Sequence, residues 1–282
     1  TQGPVLDKFE KEFAKYIGVK HAIAVANGTS ALHLSILSLN INPKDKVITT
    51  PISFVATANC IRYCGGEVVF SDINPENHLL DIFKLKKRLE ESPKGTYKGI
   101  IPVNFAGMAV NMQELRLLAD EFDLWIIEDS CHAPGGYFID NDNIKQNCGN
   151  GRYADLAIFS FHPVKHIASG EGGMITTNDS NLYEKIKKLR THGITKNHND
   201  FTNPINVSGG DDRYPKWYME MHDLGYNSRL SDINAALGLS QLRRAGENLH
   251  LRKQIAKKYI NELNSKFFKH KTKRGHAYHL FV

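Results

Sequence analysis

An α/β fold, with a mainly parallel sheet covered by helices on both faces, is what this 282-residue sequence predicts. Three observations carry that expectation. Short apolar runs near residues 22–26, 46–50, 67–71, 98–103, 123–128, 155–160 and 172–177 alternate with helical segments for most of that length. Small and polar residues stand at the ends of several runs, where an open sheet of this kind presents its ligands. At 41% hydrophobic, the chain can bury one sizeable core and part of a second unit.

Pro4 opens the first helix, and Leu6, Phe9, Phe13 and Ile17 recur at helical spacing until Gly18 stops it. The run Ala22-Ile23-Ala24-Val25-Ala26 leads into Asn27-Gly28-Thr29-Ser30, which opens a second helix through His33, Leu34 and Ile36. Small residues there let the backbone approach an anion, the exposed amides of the first turn point at it, and the Thr29 and Ser30 hydroxyls add donors. Val47-Ile48-Thr49-Thr50-Pro51-Ile52-Ser53-Phe54 delivers an aromatic ring where the next helix starts. Phe54 suits either stacking on a flat heterocycle or ordinary core packing. Residues 194–217, dominated by Asn, Asp, Gly and Pro, read as a long mobile loop lining the active site. Helices near 230–243 and 246–264 lead into a second, smaller domain, so the expected division is 1–240 and 241–282.

Two strand ends carry the chemistry. Leu124-Trp125-Ile126-Ile127-Glu128-Asp129 ends in an acid, and Ser160-Phe161-His162-Pro163-Val164-Lys165 places a lysine on a short turn before Gly170-Glu171-Gly172-Gly173. Taken singly, such a lysine is usually a solvated surface residue and such an aspartate often a helix N-cap. Together they are the pair that pyridoxal phosphate needs: an amine to hold the aldehyde carbon, and a carboxylate to keep the pyridine nitrogen protonated. His132, three residues beyond Asp129, is either a structural histidine or a donor to the cofactor's phenolic oxygen.

The order of phosphate cup, aromatic, strand-ending Asp with His three later, then Ser and Lys five apart before Gly-Glu-Gly-Gly, resembles the sugar aminotransferases of the DegT/DnrJ/EryC1/StrS family. Gly3-Pro4 with Phe9-Glu10, Phe70-Ser71-Asp72-Ile73, Pro102-Val103-Asn104-Phe105-Ala106-Gly107, Arg190-Thr191-His192-Gly193 and Leu224-Gly225-Tyr226-Asn227-Ser228-Arg229 follow the same pattern nearly end to end. The resemblance implies a fold type I architecture, the PLP-dependent transferase fold, with the glycine-rich strand after the lysine running antiparallel. It also implies Lys165 as the Schiff-base lysine, Asp129 on the pyridine nitrogen, Phe54 stacked on the ring, and Thr29, Ser30 and Ser160 around the phosphate. Asn227, with Arg229 close to it, is implied to reach the cofactor phosphate of a neighbouring subunit, which makes the active site that of a homodimer.

The implied activity is transfer of an amino group, from L-glutamate, to a nucleotide-linked keto sugar. Ser-Phe-His-Pro-Val-Lys with Trp217-Tyr218-Met219-Glu220-Met221 is most similar to the branch acting on a UDP-linked 4-keto-6-deoxy-N-acetylhexosamine in pseudaminic acid biosynthesis. Asn104 stands where relatives commonly carry histidine. A sugar dehydratase of the same fold typically has histidine in place of the lysine, and a non-enzymatic regulator would need a DNA-binding element that the sequence does not display. Relatives continue well past a segment like Tyr278-His279, so the resemblance implies a chain with most of its small domain missing.

Composition is consistent with this reading. Cys60, Cys64, Cys131 and Cys148 have neither zinc-like nor redox-pair spacing, as expected of reduced cytoplasmic thiols, and the sequence has no metal motif. No signal peptide or membrane-length apolar run is visible. The formal charge of +6 is a property of the tail, since residues 241–282 hold 11 Lys/Arg against 2 acids. Without a recognition motif, that balance reads as a solvated helix face on residues such as Arg252, Lys253, Lys257 and Lys258 rather than a nucleic-acid site.

Overall fold

The computed structural model describes residues 2–203, 214–263 and 274–282. Helix α1 (Pro4–Ile17) buries Leu6, Phe9, Phe13 and Ile17 and ends at Gly18, whose φ of 83° is open to glycine and whose amide donates to Ala14 O. There follow β1 (His21–Val25), α2 (Gly28–Ser38), β2 (Lys46–Thr49), α3 (Ala56–Tyr63), β3 (Glu67–Phe70), α4 (Ile82–Glu90), β4 (Tyr97–Ile101), α5 (Met112–Glu121) and β5 (Trp125–Asp129). Beyond these come β6 (Tyr137–Ile139), β7 (Lys145–Asn147), β8 (Leu156–Ser160), β9 (Gly173–Thr177) and α6 (Ser180–Arg190), and then β10 (Ile194–Thr195), β11 (Glu220–Met221), α7 (Asp232–Arg243) and α8 (Ala245–Glu262).

The seven runs expected as strands build one seven-stranded sheet, ordered β1-β9-β8-β5-β4-β2-β3. Strands β8, β5, β4, β2 and β3 are parallel neighbours, while β9 pairs antiparallel with both β8 and β1. The antiparallel strand after the lysine is the one that the family resemblance implies. Its two reversals cancel, so β1 runs with β8. The turn after Val25 therefore lies at the same sheet edge as Ser160 and Asp129, where ligands meet an open α/β sheet.

Both faces of the sheet are covered because its strands alternate their side chains. Leu156 and Ile158 of β8 join Leu32 and Leu34 of α2, whereas Phe159 and the following Phe161 join Phe9 and Phe13 of α1 and Leu239 of α7. A third cluster packs α4 and α5 against Ile48, Ile100 and Ile126. One buried ion pair ties this frame together: Arg190 Nη1, at the end of α6, donates to Glu10 Oε1 at 2.6 Å and to Ala24 O at 2.8 Å.

The segment expected as a long loop is anchored at both ends. Strands β10 and β11 pair antiparallel, and buried Glu220 accepts hydrogen bonds from the Thr202 and Asn203 amides and from Tyr218 Oη. Residues 204–213 of that expected loop lie outside the described residues. After α8, residues 274–282 pack back onto the turn that follows β4, with the Ala277 amide donating to Gly107 O and the His279 amide to Ala106 O. This docking corrects one expectation about the basic tail. Arg252 is not on a solvated face: it is half-buried and directs Nη1 at the carbonyls of Tyr278 and His279. No helix among the described residues is long and apolar enough to cross a membrane.

Candidate active site

A cavity of about 320 Å³ lies at the sheet edge where β5 and β8 end and α2 begins. Gly28, Thr29, Phe54, Asp129, His132, Ser160 and Lys165 all line it, bringing together residues drawn from four separate strand ends, those of β1, β2, β5 and β8. Ser30, Asn227 and Arg229 do not line it.

The first wall is the start of α2. Asn27 is the N-cap, and its Oδ1 accepts the Ser30 backbone amide at 2.8 Å, so that amide is spent on the helix cap. Three chain passages touch here because two of them lack side chains. A Cβ on Gly28 would stand 3.0 Å from Ser160 Cβ, and one on Gly173 would stand 2.5 Å from Asn27 O. That close approach leaves the α2 N-terminus, the Thr29 side chain and the Ser160 hydroxyl facing one small space, a donor set suited to a phosphate.

The second wall is the end of β5. Asp129 is 4% exposed, and its carboxylate accepts Thr57 Oγ1 at 2.8 Å and the Cys131 amide at 3.1 Å. It caps no helix. Thr57, which sequence reasoning passed over, is fully packed on the first turn of α3, and its hydroxyl also contacts Ser53 Oγ at 2.7 Å. The signal available for it was spacing: Ser53 and Thr57 are one helical turn apart and flank Phe54. Phe54 itself is 69% exposed at the cavity, which excludes core packing as the reason for an aromatic there.

Lys165 sits on the turn after β8, its amide donating to His162 O, with its side chain at the cavity. Neighbouring His166 does not line the cavity; it is 5% exposed, and burial, then the charges around it, push its pKa down to about 3. His132 does line the cavity and stacks on His279 at 4.3 Å, with His166 at 5.5 Å from the same ring. Desolvation first, and the Lys165 charge second, hold His132 near a pKa of about 4. Sequence reasoning did not find His279 as part of this group, because 147 positions separate it from His132 and only the docking of residues 274–282 joins them.

Asn104 is a support for the site rather than a lining residue. Fully buried, it donates to Glu128 Oε1 at 2.7 Å and to Ser130 Oγ at 2.9 Å, and accepts the Val110 amide at 2.8 Å. Ser130 Oγ and the Gly149 amide converge on the same Glu128 oxygen, so the chain on either side of Asp129 is held by a closed network. Burial pushes the Glu128 carboxyl above its usual range.

Asn227 is exposed, bridged through its backbone to Thr191, and Arg229 is bridged to Val25. Asn227 does not cap the following helix: Ser231 is the N-cap of α7 and accepts the Asn234 amide. Among the described residues no group of three or more His, Cys, Asp or Glu could hold a metal ion.

Residues 1–282 match the model of the DegT/DnrJ/EryC1/StrS aminotransferase family. A UDP-4-amino-4,6-dideoxy-N-acetyl-beta-L-altrosamine transaminase from Campylobacter jejuni is 39% identical over 95% of this chain and 64% of its own length. A GDP-perosamine synthase from Caulobacter vibrioides is 37% identical over 93% of this chain and 62% of its own. The chain thus spans less than two thirds of the length of these curated relatives. Among solved structures, Helicobacter pylori PseC, an aminotransferase of pseudoaminic acid biosynthesis, superposes with a TM-score of 0.79 at 32% identity, covering 99% of this chain and 69% of that one. NtdA from Bacillus subtilis, solved with bound PMP cofactor, has a TM-score of 0.79 at 29% identity, covering 100% of this chain and 58% of that one.

Proposed function

The chain belongs to the DegT/DnrJ/EryC1/StrS aminotransferase family, and on that premise we propose that it moves an amino group from an amino acid, L-glutamate, to a keto carbon of a nucleotide-linked sugar. The observation that carries the reading is the convergence of Lys165, Asp129 and the α2 N-terminus on one cavity. The donor set fits pyridoxal phosphate: a buried carboxylate at one side, an amine at another, an exposed aromatic face, and a cradle that a Cβ at Gly28 would crowd.

Bound pyridoxal phosphate would supply the electron sink that stabilises charge once an α-proton has left the amino donor. Lys165 Nζ is the group placed to bind the cofactor aldehyde covalently and, when freed, to take that proton and return it. Asp129, shut away from water and oriented by Thr57 and Cys131, holds the proton on the ring nitrogen. Phe54 orients the ring by stacking, and His132, kept neutral by burial, offers a neutral donor beside it. Thr29, Ser160 and the α2 amides bind the phosphate, and Ser30, on the same first turn of α2 but off the cavity lining, is left out of that set. Asn227 and Arg229, exposed or half-exposed and off the cavity of their own chain, complete the phosphate site of a partner subunit in a homodimer.

For substrate, the UDP-linked 4-keto-6-deoxy-N-acetylhexosamine of the pseudaminic acid branch is favoured by the Campylobacter and Helicobacter relatives, and a GDP-linked keto sugar by the Caulobacter relative. Lys165 argues against the dehydratase reading, in which histidine replaces that lysine. Adding pyridoxal phosphate to the purified protein should produce an absorbance band near the visible edge that shifts on adding glutamate. A screen of UDP- and GDP-linked keto sugars by mass change then identifies the acceptor. Absence of the band would remove the aminotransferase reading.

A further inference from the structure

We propose that Thr57 is a positioning residue: through a directed hydroxyl relay, Ser53 to Thr57 to Asp129, it sets the orientation of the carboxylate that serves the cofactor ring nitrogen. The inference rests on the aminotransferase reading and adds to it a residue that acts only through Asp129.

The direction of the relay follows from counting protons. An ionised carboxylate only accepts, so the single Thr57 hydroxyl proton is committed to Asp129 Oδ2, at 2.8 Å. The 2.7 Å contact between Ser53 and Thr57 then has one consistent donor, Ser53. The Cys131 amide engages the other carboxylate oxygen at 3.1 Å. Asp129 is therefore gripped at both oxygens, by a strand-end amide and by a helix-borne hydroxyl from 72 residues away. Thr57 is 1% exposed, so no water can replace its hydroxyl without rearrangement.

The same turn carries Phe54, whose carbonyl accepts the Thr57 amide at 3.1 Å. Ring-stacking aromatic and ring-nitrogen carboxylate are thereby set by one short segment, residues 53–57. Ser53, its proton spent on Thr57, shows the cavity lone pairs only, so it can accept from a ligand and cannot donate to one.

The test uses the purified full-length protein and four variants: Thr57→Val, which keeps shape and removes the hydroxyl; Thr57→Ser, which restores it; Asp129→Ala; and Asp129→Ala combined with Thr57→Val. The readouts are the pyridoxal phosphate dissociation constant, the pH titration of the bound cofactor's absorbance, and the melting temperature without cofactor. Thr57→Val should weaken cofactor binding by about ten- to a hundredfold and move the absorbance titration by about half a unit or more. Thr57→Ser should return both to within about threefold of wild type, and in the Asp129→Ala background Thr57→Val should change affinity less than about threefold. Ser53→Ala, which removes only the outer hydroxyl, gives the same direction at smaller size if Thr57→Val does not fold. Wild-type affinity and titration in Thr57→Val, or an undiminished effect in the Asp129→Ala background, would overturn the relay while leaving the aminotransferase reading intact. A wild-type protein that forms no absorbance band overturns that reading and the relay with it.

Discussion

At the scale of single residues, the proposed function separates groups assigned the chemistry from groups that hold them. Replacing Lys165 by Ala should abolish the absorbance band and transamination, yet leave phosphate-driven cofactor binding partly intact, because Thr29, Ser160 and the α2 N-terminus are untouched. Turnover at the wild-type rate would move the assignment to another lysine. Asp129→Asn keeps the shape and removes the charge; the loss of a charge-assisted bond should slow the proton-transfer half-reaction about a hundredfold or more, equivalent to roughly 3 kcal/mol. Single-turnover kinetics with glutamate reads this directly. Lys165, Asp129 and Phe54 were legible in the sequence because each stands at the end of a recognisable apolar run. Thr57 and His279 were not: Thr57 had only its spacing from Ser53 to mark it and His279 nothing local, and the importance of each is a contact 72 or 147 positions away.

At the scale of elements, the cradle and the α1–α6 tie show how the frame sets the site. Gly173 starts β9 directly against the backbone at Asn27 and Gly28, and a Cβ there would stand 2.5 Å from a carbonyl oxygen that cannot rotate away. Gly173→Ala should therefore displace the α2 N-terminus and weaken cofactor binding more than Gly28→Ala, where the crowded neighbour is the Ser160 side chain at 3.0 Å. Comparative titration with pyridoxal phosphate distinguishes the two. Glu10 on α1 accepts from both Arg190 Nη1 and the Ala24 amide, at 2.6 and 2.8 Å. Glu10→Ala leaves a buried guanidinium without its carboxylate and should cost about 3–5 kcal/mol, measured by chemical denaturation. The sequence displayed Phe9-Glu10 and Arg190 as family-like segments, but which element each would meet depended on the strand order.

At the scale of the whole molecule, acid stability and assembly are the properties to measure. His132, His166 and His279 are held at pKa values of about 4, 3 and 2, chiefly by desolvation, against an ordinary value of 6.5. Since the unfolded chain binds these protons more readily than the folded one, stability is full above about pH 6.5 and falls as the pH drops towards 4, each group adding a slope of at most about 1.4 kcal/mol per pH unit. Denaturation midpoints between pH 7 and 4 test the sign, and His166→Phe should flatten the fall. Assembly is tested by mixing inactive Lys165→Ala and Asn227→Ala subunits of the full-length protein. Hybrid dimers should regain one intact site if Asn227 acts across the interface; no recovery in verified hybrids would confine it to its own subunit.

Periodicity and strand-end chemistry were enough to determine the α/β class, the seven strands, the first helix and its glycine stop, and the principal cavity residues, because each of those is encoded within a dozen neighbouring residues. What only the tertiary structure decided is everything that depends on two distant segments meeting. It gave the N-cap of α7 to Ser231, turned Arg252 inward onto residues 278 and 279, made Asn104 a buried brace for Glu128, and placed Thr57 on Asp129. The physical reason is common to all four: a polar side chain's role is set by the partner that satisfies it once water is excluded, and that partner is named by the packing of elements rather than by the residues beside it in the chain.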